Sequence, residues 1–171
     1  MAITRLNNNS ITSITALPSA VQVASTPAFE AYRSSNQTPT NQVNTKIQFN
    51  AEVFDTDNCY NSTTSYAFTP TTAGKYFVYG TFRGDGESQT DLEYIQLEVK
   101  KNGATQKVIV TEYGATNDID NATLTINALV DMNGTSDYLE LWAYLKSSVQ
   151  PTIIGNSSKP TSFGAFRIIG A

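Results

Sequence analysis

The side chains available for acid–base chemistry are carboxylates, because the 171-residue sequence contains no histidine. Ser-His-Asp and Cys-His nucleophile systems are therefore excluded, and so is the commonest metal ligand. Paired carboxylates could still hydrolyse a glycosidic bond, and pairs of glutamates do occur on expected strands. They are Glu93 with Glu98 and Glu112 with Glu140. Strand alternation is expected to expose these side chains, so we interpret them as structural and predict that the protein is not an enzyme.

Two loops concentrate the oxygen ligands that hard cations such as calcium prefer. Residues Asp55–Asn58 and Asn117–Asn121 each bring Asp and Asn side chains close together. Neither loop has the ligand spacing of an EF-hand, so we interpret both as solvated turns. The sequence predicts no cofactor and leaves calcium as an open alternative.

Composition places these residues on strands rather than helices. Charged residues make up 15% of the chain, below the roughly 25% of typical globular proteins, and the 9 tyrosines and 8 phenylalanines suit a pleated surface. The net charge of -4, with no basic stripe, argues against a nucleic-acid partner. No apolar run approaches the ~18 residues of a membrane span. The single cysteine, Cys59, excludes an intrachain disulfide and fits folding in a reducing cytoplasm.

The most aromatic segment, Tyr66–Arg83, contains a short strand, a turn through Gly74 and a long strand. Alternation divides the long strand into two faces that are both largely apolar. One face contains Tyr76, Val78, Gly80 and Phe82, and the other contains Phe77, Tyr79, Thr81 and Arg83. Strand parity does not decide which face is internal, but a neighbouring subunit is expected to cover the second face. The predicted interface residues are Phe77, Tyr79, Tyr144 and Phe163.

Further short strands follow along the chain, with turn residues between them. Tyr94–Lys100 alternates cleanly, and Lys101–Gly103 predicts a hairpin because Asn-Gly readily adopts positive φ. Asn121–Val130 and Asp137–Leu145 each place aliphatic residues on one face. Roughly ten short strands in one domain, residues 27–171, predict an all-β sandwich or jelly roll.

Several of these segments resemble the complement C1q and tumour-necrosis-factor-like superfamily. The similar segments are Ala28–Arg33, Ile47–Phe49, Tyr66–Pro70, Ala73–Tyr76, Lys101–Gly103 and Ser162–Ile168. The resemblance covers about residues 27–171 and implies a ten-stranded jelly roll that assembles as a homotrimer, so the predicted interface becomes a trimer interface. Neither the collagen triplets nor the heptads of the stalks common in cellular members occur in this sequence.

Residues 1–26 differ from the rest of the chain, since Arg5 is their only charged residue. Ser, Thr and Asn dominate and Pro18 interrupts a helical spacing, which favours an extended N-terminal arm over a helix. This segment resembles the openings of tailed-phage virion proteins, notably those of phages that infect cyanobacteria. The residues predicted to anchor it on a capsid are Ile3, Leu6, Ile11, Ile14 and Leu17.

Together these resemblances favour a homotrimeric capsid decoration, or cement, protein of a phage virion. It would assemble in the host cytoplasm and bind the major capsid protein through its arm, with no nucleic-acid or membrane partner. The alternative is a knob at a tail- or head-fibre tip that binds a host-surface receptor or glycan. Its specificity would lie in the loops Ser34–Asn44, Gly84–Asp91 and Pro151–Pro160. A cytokine-like or lectin-like cellular module is a third alternative, against which the missing signal peptide counts.

Overall fold

The computed structural model describes residues 25–86, 92–114 and 119–169, and the regular structure within them is β-strand. The strands are β1 (Ala28–Tyr32), β2 (Thr45–Lys46), β3 (Ala51–Asp55), β4 (Gly74–Asp85), β5 (Leu92–Lys101), β6 (Ala104–Glu112), β7 (Asn121–Met132), β8 (Leu139–Ser147), β9 (Thr152–Ile153) and β10 (Ser162–Arg167). Within these ranges no helix is long and apolar enough to cross a membrane. The predicted all-β fold is confirmed, while residues 1–24 of the predicted arm lie outside the described ranges.

The strands form two antiparallel sheets. The six-stranded sheet has the order β3-β1-β10-β4-β7, with β9 also paired to β4, and the four-stranded sheet has the order β2-β8-β5-β6. The last strand, β10, lies between β1 and β4. Strands that are distant in sequence are therefore neighbours in space, which gives the sandwich one continuous core between its sheets.

Alternation along β4 decides which of its two apolar faces is internal. Tyr76, Val78 and Phe82 are fully buried, whereas Phe77 and Tyr79 are only partly buried and lie on the outer face. The four-stranded sheet contributes the aliphatic side chains that pack against the inner face of β4. The fully buried members of that set include Leu92, Ile95, Leu97, Val99, Leu139 and Leu141. The second apolar face of β4 is left uncovered by the described part of the chain.

An aromatic cluster fills part of the core. Phe29 stacks on Tyr60 and Phe68, with ring centroids 4.6 and 4.5 Å apart, and Phe163 meets Phe29 edge-on at 4.9 Å. Phe163 is fully buried here, so its prediction as a trimer-interface residue is wrong. The parity of β10 turns Phe163 inward and leaves Phe166 on the outer face.

The hairpin predicted at Lys101–Gly103 is confirmed. Asn102 and Gly103 have φ angles of 52° and 79° and connect β5 to β6, as mirror-image hairpin turns require. The Asn102 side chain donates to Asp137 Oδ1 at 2.7 Å and accepts the backbone N–H of Tyr138 at 2.9 Å. These bonds tie the turn to the start of β8, the other neighbour of β5.

Candidate functional site

The outer face of the six-stranded sheet carries a group of large apolar side chains from four strands. We call this group the apolar patch: Phe54, Phe77, Tyr79, Leu129 and Phe166. Phe77 lies centrally, paired in register with Phe166 on one side and with Leu129 on the other. Leu129 is 67% exposed, Phe54 44% and Phe166 40%. Large apolar side chains grouped on one exposed face make this surface a candidate for an interaction.

Tyr79 extends the apolar patch from Phe77 toward β1 and β3. Its ring lies over Gly164, where a Cβ atom would be 2.3 Å from Tyr79 Cζ, so glycine leaves the space that the ring occupies. The Tyr79 hydroxyl donates to Glu30 Oε2 at 3.1 Å. Burial, followed by the negative charge of Glu30, raises the pKa of Tyr79 to about 12. The hydrogen bond from Tyr79 to Glu30 thus places a polar link beside the apolar rings of the patch.

An open depression of about 510 Å³ adjoins the apolar patch and reaches the neighbouring sheet edge. It is lined by Phe77, Asn127, Ala128 and Leu129 and, on β6, by Gln106 and Lys107. Strand β6 forms the edge of the four-stranded sheet, and its Val108 and Val110 are 46% and 52% exposed. The sandwich therefore exposes apolar side chains on an edge strand as well as on the patch.

The structure separates the four residues predicted to form one trimer interface. Phe77 and Tyr79 lie together in the apolar patch, while Phe163 lies in the core. Tyr144 lies on the outer face of the four-stranded sheet, so it does not share a surface with Phe77. The role of Phe77 and Tyr79 in a trimer stays a prediction. The predicted capsid-anchoring residues, Ile3, Leu6, Ile11, Ile14 and Leu17, lie outside the described residues.

Sequence reasoning missed three members of the apolar patch. Leu129 could have been found from β7, where the inward positions are apolar and Leu129 is the apolar exception among outward polar residues. Phe166 was hidden because its outward position depends on the parity of β10, which only the structure supplies. Phe54 lies on a short strand whose partner, β1, could not be identified from sequence.

The outer face of the four-stranded sheet carries a charged network around Trp142. Glu140 accepts from Trp142 Nε1 at 2.9 Å and pairs with Lys46 at 2.5 Å. Lys100 Nζ lies 4.3 Å from a Trp142 ring centroid and 3.7 Å from Glu98 Oε2. Glu98 and Glu140 are each only 5% exposed, so the prediction that alternation exposes them is wrong. Strand alternation does place both carboxylates on the outer face of the sheet. Long side chains of neighbouring residues then cover them there.

Glu98 is surrounded by hydrogen-bond donors. Thr105 Oγ1 and Asn44 Nδ2 each donate to it at 2.7 Å, and the Gln96 amide donates as well. Burial opposes ionisation of Glu98, but these bonds and the Lys100 charge outweigh it and hold the pKa of Glu98 below its ordinary value. A carboxylate kept ionised with its lone pairs occupied stabilises the sheet and is poorly suited to proton transfer.

The remaining candidate carboxylates also have structural partners or lie in solvent. Glu93 Oε2 pairs with Lys146 Nζ at 2.6 Å, while Glu112 is exposed, as predicted. In the first candidate calcium loop, Asp55 Oδ2 accepts a backbone N–H at 2.7 Å. In the described ranges there is no cluster of three or more His, Cys, Asp or Glu that could hold a metal ion. Residues 117 and 118 of the second calcium loop lie outside those ranges.

Two of the three predicted recognition loops lie against each other. Gln37, in Ser34–Asn44, and Ile153, in Pro151–Pro160, exchange backbone hydrogen bonds of 2.9 and 2.8 Å. The two loops are therefore joined at this bridge, which is itself buried. The third loop, Gly84–Asp91, is described only as far as residue 86.

The sheet order and a structural comparison together define a jelly roll of the tumour-necrosis-factor and C1q type. The chain is similar in structure to murine APRIL, a tumour-necrosis-factor-family protein whose crystal structure was solved at pH 5.0. It matches with a TM-score of 0.59 and 8% sequence identity, over 82% of this chain and 98% of that chain. No protein-family model and no curated protein matches the sequence. The similarity confirms the predicted fold and, at this identity, shows the fold alone.

Proposed function

We propose that this chain is a virion structural protein, a homotrimeric decoration protein that binds the outside of a tailed-phage capsid. The observation that carries the proposal is the apolar patch, which leaves Leu129 67% exposed on a single chain. A chain of this fold with so apolar an outer face is suited to assembly. The resemblance of residues 1–26 to the openings of phage virion proteins supports the capsid as its place of attachment.

Self-association explains both the composition and the position of the apolar patch. The centres of protein interfaces are enriched in aromatic side chains and depleted in charged ones. The apolar patch matches this composition through Phe54, Phe77 and Phe166. The exposed valines of the edge strand β6 are not members of the apolar patch. The patch of one copy can therefore contact the β6 edge of the next copy, head to tail. A head-to-tail contact that closes gives a ring, and the resemblance to C1q-like proteins implies a ring of three.

The arm is well placed to connect the trimer to another surface. Strand β1 begins at Ala28, which pairs in register with Phe166 of the apolar patch. Residues 1–26 therefore join the fold beside the proposed subunit interface. The arms of three subunits would emerge around one axis, and a segment that orders against several neighbours gains affinity from each contact.

The major capsid protein is the proposed partner, and the capsid surface is the proposed location. Assembly in the host cytoplasm accords with the single free cysteine, Cys59, which is buried. The proposed partners include neither nucleic acid nor a membrane, because the chain has a net charge of -4 and no basic stripe.

Truncation of the arm tests the proposed attachment. The full chain and a variant that lacks residues 1–26 are mixed with capsids stripped of decoration, and the fraction that cosediments is measured. We expect the full chain to cosediment and the truncated chain to stay in the supernatant as a trimer. A matched variant with Ile11, Ile14 and Leu17 changed to Ser should lose binding similarly. Normal binding by the truncated chain would show that the arm is not the anchor.

The second candidate function is a fibre-tip knob, and the joined loops Ser34–Asn44 and Pro151–Pro160 favour it. A polar loop surface on a rigid sandwich is a common arrangement for recognition. This function predicts that the trimer alone binds host cells and that exchange of both loops abolishes binding. A decoration protein would show no such cell binding, and its location in the virion would differ.

A further inference from the structure

A pocket of about 220 Å³ opens on the outer face of the four-stranded sheet, on the opposite side of the sandwich from the apolar patch. It is lined by Tyr94, Gln96, Tyr144 and Lys146. Tyr94 and Gln96 belong to β5, and they pair in register with Lys146 and Tyr144 of β8. The four side chains therefore form a compact block on two adjacent strands.

A β-bulge at the start of β5 builds one wall of this pocket. The register shifts between Leu92 and Tyr94, and Leu92 and Ile95 are both fully buried. The two residues between them, Glu93 and Tyr94, consequently both reach the outer face, where Glu93 pairs with Lys146 at 2.6 Å. Bulges commonly occur where a strand must redirect a side chain at a functional site.

The aromatic rings and the polar groups of the pocket are held in fixed positions. The rings of Tyr94 and Tyr144 meet at 89° with centroids 5.5 Å apart. The Tyr94 hydroxyl donates to Gln96 Oε1 at 3.0 Å, and the Gln96 amide donates to buried Glu98. The Tyr144 hydroxyl has no hydrogen-bond partner within the described ranges, so it is available to a ligand.

The charge around the pocket favours an uncharged ligand. Lys146 is the cationic group of the lining, and Glu93 already neutralises it at 2.6 Å. The charges of Glu112 and Glu98 also act on Tyr94, and both are negative. Lys100 offsets the Glu98 charge at 3.7 Å, so Glu112 supplies the negative charge that disfavours an anionic ligand. The Lys146 ammonium can still donate hydrogen bonds to neutral hydroxyl groups.

We propose that this pocket binds one neutral pyranose unit of a glycan. The tyrosine rings would contact the C–H face of the sugar, while Gln96, Lys146 and the Tyr144 hydroxyl would bind its hydroxyl groups. The volume of about 220 Å³ is below the roughly 300–1,000 Å³ of pockets for larger ligands, which limits the site to a single ring. The proposal does not rest on trimer formation or on capsid attachment, because the pocket lies on the other sheet.

Ligand-observed and protein-observed NMR test this proposal with the full chain. The probes are the methyl glycosides of glucose, galactose and mannose, with methyl glucuronate as the anionic comparison. We expect at least one neutral glycoside to bind and to shift the ring resonances of Tyr94 and Tyr144. Glucuronate should bind more weakly. Failure of all three neutral glycosides to shift these resonances, or tighter binding of glucuronate, would overturn the proposal.

Substitutions locate the binding to the pocket. Tyr144→Ala should lower the affinity for the glycoside about tenfold or more, because it removes a central aromatic contact. Tyr144→Phe should lower the affinity less. The matched control is Tyr138→Ala, a partly buried tyrosine that precedes β8 at the end away from the pocket. It should bind as the unaltered chain does. Undiminished binding by Tyr144→Ala, or equal loss in the control, would contradict the assignment.

Discussion

Leu129→Asp is the substitution that we expect to disrupt trimer assembly while leaving the fold of the subunit intact. Leu129 lies in the apolar patch on β7, beside Phe77, and is 67% exposed in the single chain. A carboxylate at such an exposed position stays hydrated, so the fold should tolerate it. In an assembly that covers the apolar patch, the same carboxylate would be buried without a partner.

The expected loss can be estimated from the exposed fraction of the side chain. Complete burial of a leucine side chain contributes about 1.5–3 kcal/mol, so covering the 67% that is exposed contributes roughly 1–2 kcal/mol per subunit. Three copies give about 3–6 kcal/mol per trimer, which weakens association by roughly 10²–10⁴ at 1.4 kcal/mol per factor of ten. The cost of desolvating the new carboxylates adds to this loss.

Light scattering coupled to size exclusion, with thermal unfolding of the same samples, measures both effects. We expect the unaltered chain at three times the 18.6 kDa subunit mass and Leu129→Asp at the subunit mass when dilute. The matched control is Val43→Asp, because Val43 is also an exposed apolar residue, at 49%, but lies outside the apolar patch. The reasoning is refuted if Leu129→Asp stays trimeric, or if Val43→Asp dissociates as readily.

Two further predictions concern the core and the polar link of the apolar patch. Phe163→Ala should lower the free energy of unfolding by about 3–5 kcal/mol in chemical denaturation, because Phe163 is fully buried against Phe29. A loss below about 1 kcal/mol would contradict the place of Phe163 in the core. The pKa of Tyr79 is raised to about 12, above its ordinary value near 10, so Tyr79 contributes stability below about pH 10 that is lost as the pH rises toward 12. Stability measured across this range should fall less steeply for Tyr79→Phe, and equal slopes would be inconsistent with the raised pKa that burial and Glu30 give Tyr79.

The fold was largely predictable because its signals are local. Alternation along Tyr94–Lys100 and the Asn-Gly turn that follows it depend on residues close in sequence, and both are confirmed. The two apolar faces of β4 were also visible before the structure was known. Their assignment to inside and outside was not, because it depends on β10, which closes the sheet from the far end of the chain.

The candidate surfaces were less predictable because they combine residues from distant strands. Parity suggested exposure for Glu98 and Glu140, yet lysine and tryptophan side chains from neighbouring strands cover them. Tyr144 was grouped with Phe77 by residue type, although the two lie on opposite sheets. The pocket at Tyr94 depends on a bulge that adds a residue to one strand, and simple alternation does not indicate it.

The most direct test of the proposed function is the position of this protein in an intact virion, determined by electron cryomicroscopy. The proposal predicts trimeric, jelly-roll-shaped density over the outer capsid surface, with the N-terminal arms in contact with capsid subunits. Density confined to the tip of a tail or head fibre, or a capsid surface without it, would contradict the proposed function.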